Sequence, residues 1–298
     1  MKLSNTISYI ERRFGIEKAV SLMKNAGFTA MDYMLNQLCN DDSPLSGEMY
    51  RERAEYIRKC ADEAGICFNQ THAPFKFTDW DTSFDEVVFP KFIRALEISA
   101  ILGAEIAVVH PLHHFVYAGH EEEIFELNMN YYRRLIPYAR EYGVKIAIEN
   151  MWQTDPLRRH PVDDTCSRAE EFIRYIDTLD SEYIVACLDL GHVGLIAGAG
   201  EAEDMIRALG HDRLKSLHVH DNNYRDDQHL IPGMGKMHWD KIAEALGEID
   251  YTGDLTFEAE ASFLGNYDDE FIPVALRFMA QVGEHLIDLI ERSRVTSN

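Results

Sequence analysis

Apolar residues along the chain follow two alternating patterns. Segments such as IEKAVSLMKNA, MYRERAEYIRKCADEA and EEIFELNMNYYRRLIPYAREY place apolar residues three and four positions apart, which predicts amphipathic helices. Between such segments lie short runs rich in β-branched and aromatic residues, which predict strands. Eight strands are expected, at residues 3–8, 28–33, 66–72, 105–110, 144–149, 184–189, 214–220 and 254–258.

A glycine stands between several predicted helices and the strand that follows. NAGF (25–28), EAGI (63–66) and EYGV (141–144) each follow a charged helical segment, and ILGAEI (101–106) is a variant. Glycine favours this position because it adopts the left-handed conformation that commonly ends a helix. The helix–glycine–strand pattern recurs at roughly the length of one βα unit.

The order of the predicted elements indicates the fold class. Eight strands alternating with helices over 298 residues predict an α/β protein with a (β/α)₈ TIM barrel. An open doubly wound sheet is the main alternative, but the glycine fingerprint for phosphate binding that would support it is missing. Because no linker rich in Pro, Gly or Ser interrupts the pattern, we expect a single domain over residues 1–298.

The predicted strands end in polar side chains. In KSLHVH, Leu217 and Val219 share one face, whereas His218 and His220 share the opposite face and should point into the barrel. The carboxyl ends of the strands form the rim where barrel active sites lie. Six strands end there with an imidazole or a carboxylate: His72, His110, Glu149, Asp189, His220 and Glu258.

Carboxylates that converge with histidines favour a bound cation, since the acidic groups otherwise repel one another. A mixed imidazole and carboxylate set suits Mn²⁺, Zn²⁺, Co²⁺ or Fe²⁺ better than Mg²⁺. We therefore expect one divalent metal ion. Its predicted ligands occupy the same position on four consecutive strands: Glu149, Asp189, His220 and Glu258. His218 is expected to be a supporting or core residue, and Cys187 to pack as a small apolar side chain.

Composition restricts the partners of the chain. The formal net charge is −22, from 29 basic and 51 acidic residues, which disfavours nucleic acids and anionic membranes. The five cysteines include no C-x-x-C pair, so disulfides and a cysteine-rich zinc site are not expected. MKLSNTISYIERRFG lacks the apolar region of a signal peptide, and no apolar run could span a membrane. We expect a cytoplasmic protein.

Seven short motifs occur in order along nearly the whole chain. They are THAPF (71–75), VVHP (108–111), IAIEN (146–150), LDLGH (188–192), HVHDN (218–222), DQHLIPGMG (227–235) and YTGDLTFE (251–258). In these motifs the sequence resembles the xylose isomerase-like barrel superfamily. That superfamily includes sugar isomerases and epimerases, inosose dehydratase, and apurinic-site nucleases of the endonuclease IV type.

The resemblance implies roles for individual residues. The metal ligands of the ketose 3-epimerases fall on the four predicted ligands, and a substrate-binding histidine falls on His192. Arg225 lies near the substrate-binding arginine of the family, in a loop that differs by one residue, and a GEG-like turn becomes Gly233-Met234-Gly235. The residues expected to contact substrate are His72, His110, His192, Asp227, His229 and Trp152. Phe75 and Trp80 are further candidates for apolar walls.

The preferred function is a metal-dependent isomerase or epimerase acting on a ketose or related polyhydroxy carbonyl compound. Glu149 and Glu258 are the predicted catalytic pair, one removing a proton and the other returning it through an enediolate. The resemblance disfavours a hydride shift, because xylose isomerase has a lysine where this chain has Met151. The expected partner is a small sugar or polyol, and a homo-oligomer is left open.

Two alternatives use the same rim. An inosose dehydratase-like lyase would begin with the same proton abstraction. For an endonuclease IV-like zinc-dependent nuclease, the metal ligands would fall on His72, His110, Glu149, Asp189, His192, His220, Asp227, His229 and Glu258. The net charge and the scarcity of basic residues in the rim loops favour a small-molecule substrate. The loops at 73–84, 111–121 and 151–166 should determine which small molecule is the substrate.

Overall fold

The computed structural model describes residues 1–75, 83–112, 116–198 and 201–296. All eight predicted strands are present, mostly one to three residues shorter than expected. Two short strands that were not predicted, β6 (Trp152–Thr154) and β7 (Pro161–Asp163), are also present. In chain order the strands are β1 (Leu3–Asn5), β2 (Ala30–Met34), β3 (Cys67–His72), β4 (Ile106–Val109), β5 (Lys145–Glu149), β6, β7, β8 (Ile184–Asp189), β9 (Leu214–His218) and β10 (Leu255–Phe257).

The eight predicted strands form a closed parallel barrel. Strands β2, β3, β4, β5, β8 and β9 make one continuous parallel sheet, and β1 pairs with β10 in parallel. Two single parallel bridges join these sheets, Thr6 with Asp32 on one side and Val219 with Phe257 on the other. The order of the strands in the ring equals their order in the chain, which confirms the predicted TIM barrel.

Helices surround the barrel. They are α1 (Ser8–Phe14), α2 (Ile16–Ala26), α3 (Tyr50–Ala64), α4 (Phe89–Leu102), α5 (Glu121–Tyr142), α6 (Ala169–Leu179), α7 (Leu190–Leu195), α8 (Ala202–Arg213), α9 (Trp239–Glu248), α10 (Ala261–Leu264) and α11 (Ile272–Thr296). Gly27, Gly65, Gly103 and Gly143 follow α2, α3, α4 and α5 in the left-handed conformation, as the recurring glycine motif predicts. Within the described residues, none of the helices combines the length and hydropathy that crossing a lipid bilayer requires.

Apolar side chains pack in two layers. The larger layer lies between strands and helices and includes Leu217 and Val219, as the alternation predicts. A smaller buried cluster contains Val108, Ala147 and Cys187. Cys187 therefore packs as a small apolar side chain, and the strands can place polar residues at the rim above it.

The connection after β5 differs from the expectation of a plain loop. Strands β6 and β7 pair there in an antiparallel ladder, with Trp152 opposite Asp163 and Thr154 opposite Pro161. The stretch is only three residues long on each side and half exposed, so hydrophobic periodicity gives little signal for it.

Candidate active site

The six polar residues expected at the rim lie at the carboxyl ends of barrel strands. His72, Glu149 and Asp189 are the last residues of β3, β5 and β8. His110 and Glu258 directly follow β4 and β10, whereas His220 lies two residues beyond β9. All are buried except His110 and Glu258, which are partly exposed. Barrel closure thus brings together residues far apart in the sequence.

Glu149 lies at the centre of the group. His218 Nδ1 donates to Glu149 Oε1 over 3.0 Å, and His110 Nε2 and His72 Nε2 lie 3.0 and 3.4 Å from Oε2. Burial alone raises the pKa of Glu149, but His218 and His110 outweigh it and hold the pKa well below its usual range. The side chain is therefore an anion buried among imidazoles.

His218 has closer contact with the carboxylates than a core residue would have. Its Nδ1 also lies 3.5 Å from Glu258 Oε2. Burial alone lowers the pKa of His218, but Glu149 and Glu258 raise it to about 10. An imidazolium here offsets the charge of the two glutamates, and the supporting role expected for His218 stays a prediction.

Asp189 and His192 are fixed by Asn150, whose role the sequence motifs do not predict. Asn150 Oδ1 accepts from the Asp189 amide at 2.7 Å, and Asn150 Nδ2 donates to the Asp189 carbonyl at 3.0 Å. His192 Nδ1 donates to the Asn150 carbonyl at 2.8 Å. Asp189 in turn caps α7 by accepting from the His192 amide at 2.8 Å. The asparagine side chain therefore joins β5 to β8 at the rim.

His220 contacts Asp189 rather than Glu149. Its Nε2 lies 3.0 Å from Asp189 Oδ1 and 3.1 Å from Oδ2. Gly191 lies against the ring, and a Cβ built on it would be 2.0 Å from His220 Cε1. The glycine of LDLGH is thus needed for His220 to reach the rim. Burial raises the pKa of Asp189, but His192 and His220 outweigh this and lower it.

Asp227 and His229 reach the site from the loop after β9. His229 Nε2 lies 3.2 Å from Asp227 Oδ2, and His229 Nδ1 donates to the Glu258 carbonyl at 2.6 Å. The rings of His220 and His229 stack with centroids 4.0 Å apart. Burial lowers the pKa of His229, but Asp227 and Glu258 raise it to about 9. Both residues expected to contact substrate therefore border the rim cluster.

Asp221 organises that loop, a role that the strand pattern does not predict. The side chain is fully buried. Oδ1 accepts from the amides of Asn222 and Met237, and Oδ2 accepts from the amides of Gly233 and Gly235 and from Trp239 Nε1. The signal was present in the sequence: an aspartate at the end of a strand, followed by a glycine turn with many unpaired amides.

The aromatic candidates occupy different places. Phe75 stacks on His110 with centroids 4.5 Å apart and lines the cavity at the site. Trp152, on β6, lies edge-on to His192 at 6.4 Å. Trp80 lies outside the described residues. Arg225 is exposed and is not among the residues that line the cavity.

The donor set fits a divalent cation. One donor atom each from Glu149, Asp189, His218 and Glu258 lies within 4.8 Å of the others. A second group, Asp189 with His192 and His220, shares Asp189 with the first. Among the described residues, Glu149 Oε2 is buried without a well-aligned hydrogen bond. Three acidic side chains with imidazoles in one buried cluster are typical of metal centres. His220 as the fourth ligand stays a prediction, because His218 lies closer to the glutamates.

Comparison with known proteins identifies the family. The model of the xylose isomerase-like TIM barrel family matches residues 20–281. The chain belongs to this family. The match runs from α2 to α11 and includes all six strand ends that carry polar rim residues.

Relatives in sequence include uncharacterized proteins and an epimerase. An uncharacterized protein of Methanocaldococcus jannaschii is 29% identical over 192 residues, which cover 63% of this chain and 62% of that protein. The chain therefore spans less than two thirds of that relative's length. A D-psicose 3-epimerase of Enterocloster bolteae is 34% identical over 95 residues, 32% of this chain and 28% of the enzyme.

Solved structures share the barrel over nearly the whole chain. A D-tagatose 3-epimerase-like protein superposes with a TM-score of 0.74 at 20% identity, covering 98% of this chain and 99% of the other. D-psicose 3-epimerase in the presence of D-fructose superposes with a TM-score of 0.72 at 19% identity, covering 96% of this chain and 99% of the other. IolI protein with a bound zinc atom superposes with a TM-score of 0.68 at 18% identity, covering 98% of this chain and 99% of the other. These similarities establish the fold.

Proposed function

We propose that this protein is a divalent-metal-dependent epimerase or isomerase of a ketose or related polyhydroxy carbonyl compound. The observation that carries the proposal is the pair Glu149 and Glu258, which meet His218 from strands three places apart in a ring of eight. Epimerisation needs two groups that exchange a proton with the same carbon, and carboxylates on different strands can approach it from different directions.

The ligands of the ion would be Glu149, Asp189, His220 and Glu258, with His218 beside them. A bound divalent ion would act as a Lewis acid toward the carbonyl and adjacent hydroxyl oxygens, which makes the neighbouring C–H more acidic. Mn²⁺, Zn²⁺, Co²⁺ and Fe²⁺ suit a donor set that mixes imidazole with carboxylate.

The protein's own side chains handle the proton and the substrate. Glu258 is the more accessible of the two glutamates, with a side chain 16% exposed, and it lines the cavity. We assign it one proton transfer and Glu149 the other. His72, His110, His192, Asp227 and His229 would hold substrate hydroxyls. Phe75, stacked on His110, would keep water from that side of the cavity, and Trp152 would shield His192.

Reactions in deuterated water test the proton-transfer mechanism. D-fructose, D-tagatose, D-psicose and an inosose form the substrate panel, since similar solved structures include D-psicose 3-epimerases in the presence of D-fructose and with D-tagatose. We expect solvent deuterium at the epimerised carbon. We expect Glu258→Gln to lower kcat by about 10²-fold or more, the usual contribution of a general acid or base. Glu270→Gln, an exposed change, is the control. Product without solvent label would indicate a hydride shift, and product lighter by one water a dehydratase.

A nuclease of the endonuclease IV type is the competing hypothesis, because its nine ligand types are all present at this rim. Its substrate is a polyanion, and a net charge of −22 opposes association with it. Three tightly bound zinc ions per chain together with incision of abasic duplex DNA would favour the nuclease over the epimerase or isomerase. One ion per chain and no incision are expected.

A further inference from the structure

The cavity at the rim is larger than a small sugar requires. Its volume is about 800 Å³, in the upper part of the range of roughly 300–1,000 Å³ that holds drug-sized ligands. One end is formed by Asp227, His229 and Glu258. The other end extends over α1 and the connection after β2 to α3. A ketohexose held at the rim cluster therefore leaves the outer end unfilled.

Two arginines line this outer end, Arg12 on α1 and Arg53 on α3. Within the described part of the chain, neither guanidinium donates a hydrogen bond to another residue, and Arg12 has no carboxylate within 4.0 Å. Arg53 Nη2 lies 3.7 Å from Glu11 Oε1, beyond hydrogen-bond distance. Arg53 also lies over the Tyr56 ring, 5.4 Å from its centroid. Both side chains therefore keep hydrogen-bond donors that a ligand in the cavity can engage.

The arginines next to them in sequence are engaged. Arg13 Nε lies 2.5 Å from Asp269 Oδ1, and Arg51 Nε lies 2.5 Å from Glu97 Oε1. Neither lines the cavity. On both helices, therefore, the arginine that lines the cavity is the one without a hydrogen-bond acceptor among the described residues.

The acidic residues of the outer end have partners of their own. Glu11 Oε1 accepts from the Tyr33 hydroxyl at 3.0 Å. Glu260 Oε1 accepts from the Ile10 amide at 2.8 Å, and Oε2 from the Thr6 hydroxyl at 3.3 Å. The hydrogen bonds of Glu11 and Glu260 therefore come from neutral donors of the protein and not from Arg12 or Arg53.

We infer that Arg12 and Arg53 bind an anionic substituent of the substrate, a phosphate or a carboxylate, at the end of the cavity remote from the rim cluster. Guanidinium presents paired donors that match either group, and it stays charged at every physiological pH. The inference rests on the proposed function for the site of reaction and adds the substrate class: a phosphorylated or acidic sugar in place of a neutral ketose.

Titration calorimetry of the metal-loaded protein with inorganic phosphate tests anion binding apart from turnover. We expect the Kd to rise about tenfold or more in Arg12→Gln and in Arg53→Gln, the effect of losing charge-assisted hydrogen bonds. Arg13→Gln and Arg51→Gln are the matched controls and should stay near the wild-type value. Arg53→Lys keeps the charge but loses the paired donors, and should bind phosphate with intermediate affinity.

Turnover identifies the source of the anion. Values of kcat/KM for D-fructose, D-fructose 6-phosphate and D-fructuronate separate a neutral, a phosphorylated and a carboxylated substrate. We expect one anionic sugar to exceed D-fructose, and this preference to disappear in the Arg12 and Arg53 variants. Phosphate affinity unchanged in both variants would place the anion elsewhere and overturn the inference, even if neutral sugars react. Arginine-dependent phosphate binding with no reaction of any sugar would support the anion site and refute the proposed function.

Discussion

Replacing Asp221 with asparagine should destabilise the protein substantially. Asparagine has one acceptor oxygen where the carboxylate has two, so at least two of the five donors that Asp221 satisfies lose their acceptor. A hydrogen bond to a charged group contributes about 1.5–3 kcal/mol. Two such losses give roughly 3–6 kcal/mol before the loop relaxes, and we expect a decrease of about 3 kcal/mol in the free energy of unfolding.

Urea unfolding and calorimetry measure this effect. At about 2 °C per kcal/mol for a chain of this size, Tm should fall by about 6 °C. Asp226→Asn is the matched control, since Asp226 is exposed and its Oδ2 accepts one hydrogen bond, from Asn223 Nδ2 at 3.0 Å. If Asp221→Asn unfolds within the experimental error of Asp226→Asn, the carboxylate does not hold the loop and the reasoning is wrong.

Three further predictions concern the metal, a buried acid and a glycine. Excess Mn²⁺ should raise Tm of the wild type, because a ligand that binds only the folded state stabilises it, and Glu149→Gln should lose both this shift and the metal found by elemental analysis. Burial raises the pKa of Glu171 in the folded protein to about 7. Ionisation of Glu171 therefore destabilises the folded state; the effect begins near the pKa of the unfolded chain and is complete above the pKa of the folded protein. The Tm of Glu171→Gln minus the Tm of the wild type should therefore increase from pH 5 to pH 8. A difference that stays constant over this range would contradict the prediction. Gly191→Ala should displace His220 and weaken metal binding, whereas Gly47→Ala, whose Cβ meets nothing closer than 4.0 Å, should not.

The barrel could be predicted because its signals are local. Each strand is a short apolar run, and each of four helices ends at a left-handed glycine such as Gly65 or Gly143. The closure of the ring follows from the number and order of these units. The antiparallel pair β6–β7 could not be predicted, because its residues are half exposed and show no periodicity.

The rim residues were predictable from period-two alternation, but their mutual contacts were not. His218 and His220 lie on the same face of one sequence stretch, yet His218 reaches Glu149 and His220 reaches Asp189. Which carboxylate each histidine meets depends on the stagger between strands, where β8 and β9 carry a register shift. Asn150 joins β5 to β8 through backbone atoms, a contact that sequence spacing does not encode.

The barrel consists of a two-stranded and a six-stranded sheet, here called its leaves, which are joined by two single bridges. Glu258 directly follows β10, in the small leaf made by the first and last strands, whereas Glu149 and Asp189 belong to the six-stranded leaf. On the β9 side the leaves are joined by the Val219 amide bonded to the Thr256 carbonyl at 2.9 Å and the Glu258 amide bonded to the Val219 carbonyl at 3.1 Å. The distance between the two glutamates of the acid–base pair therefore depends on these two hydrogen bonds between the leaves, and not only on the ladder within each leaf.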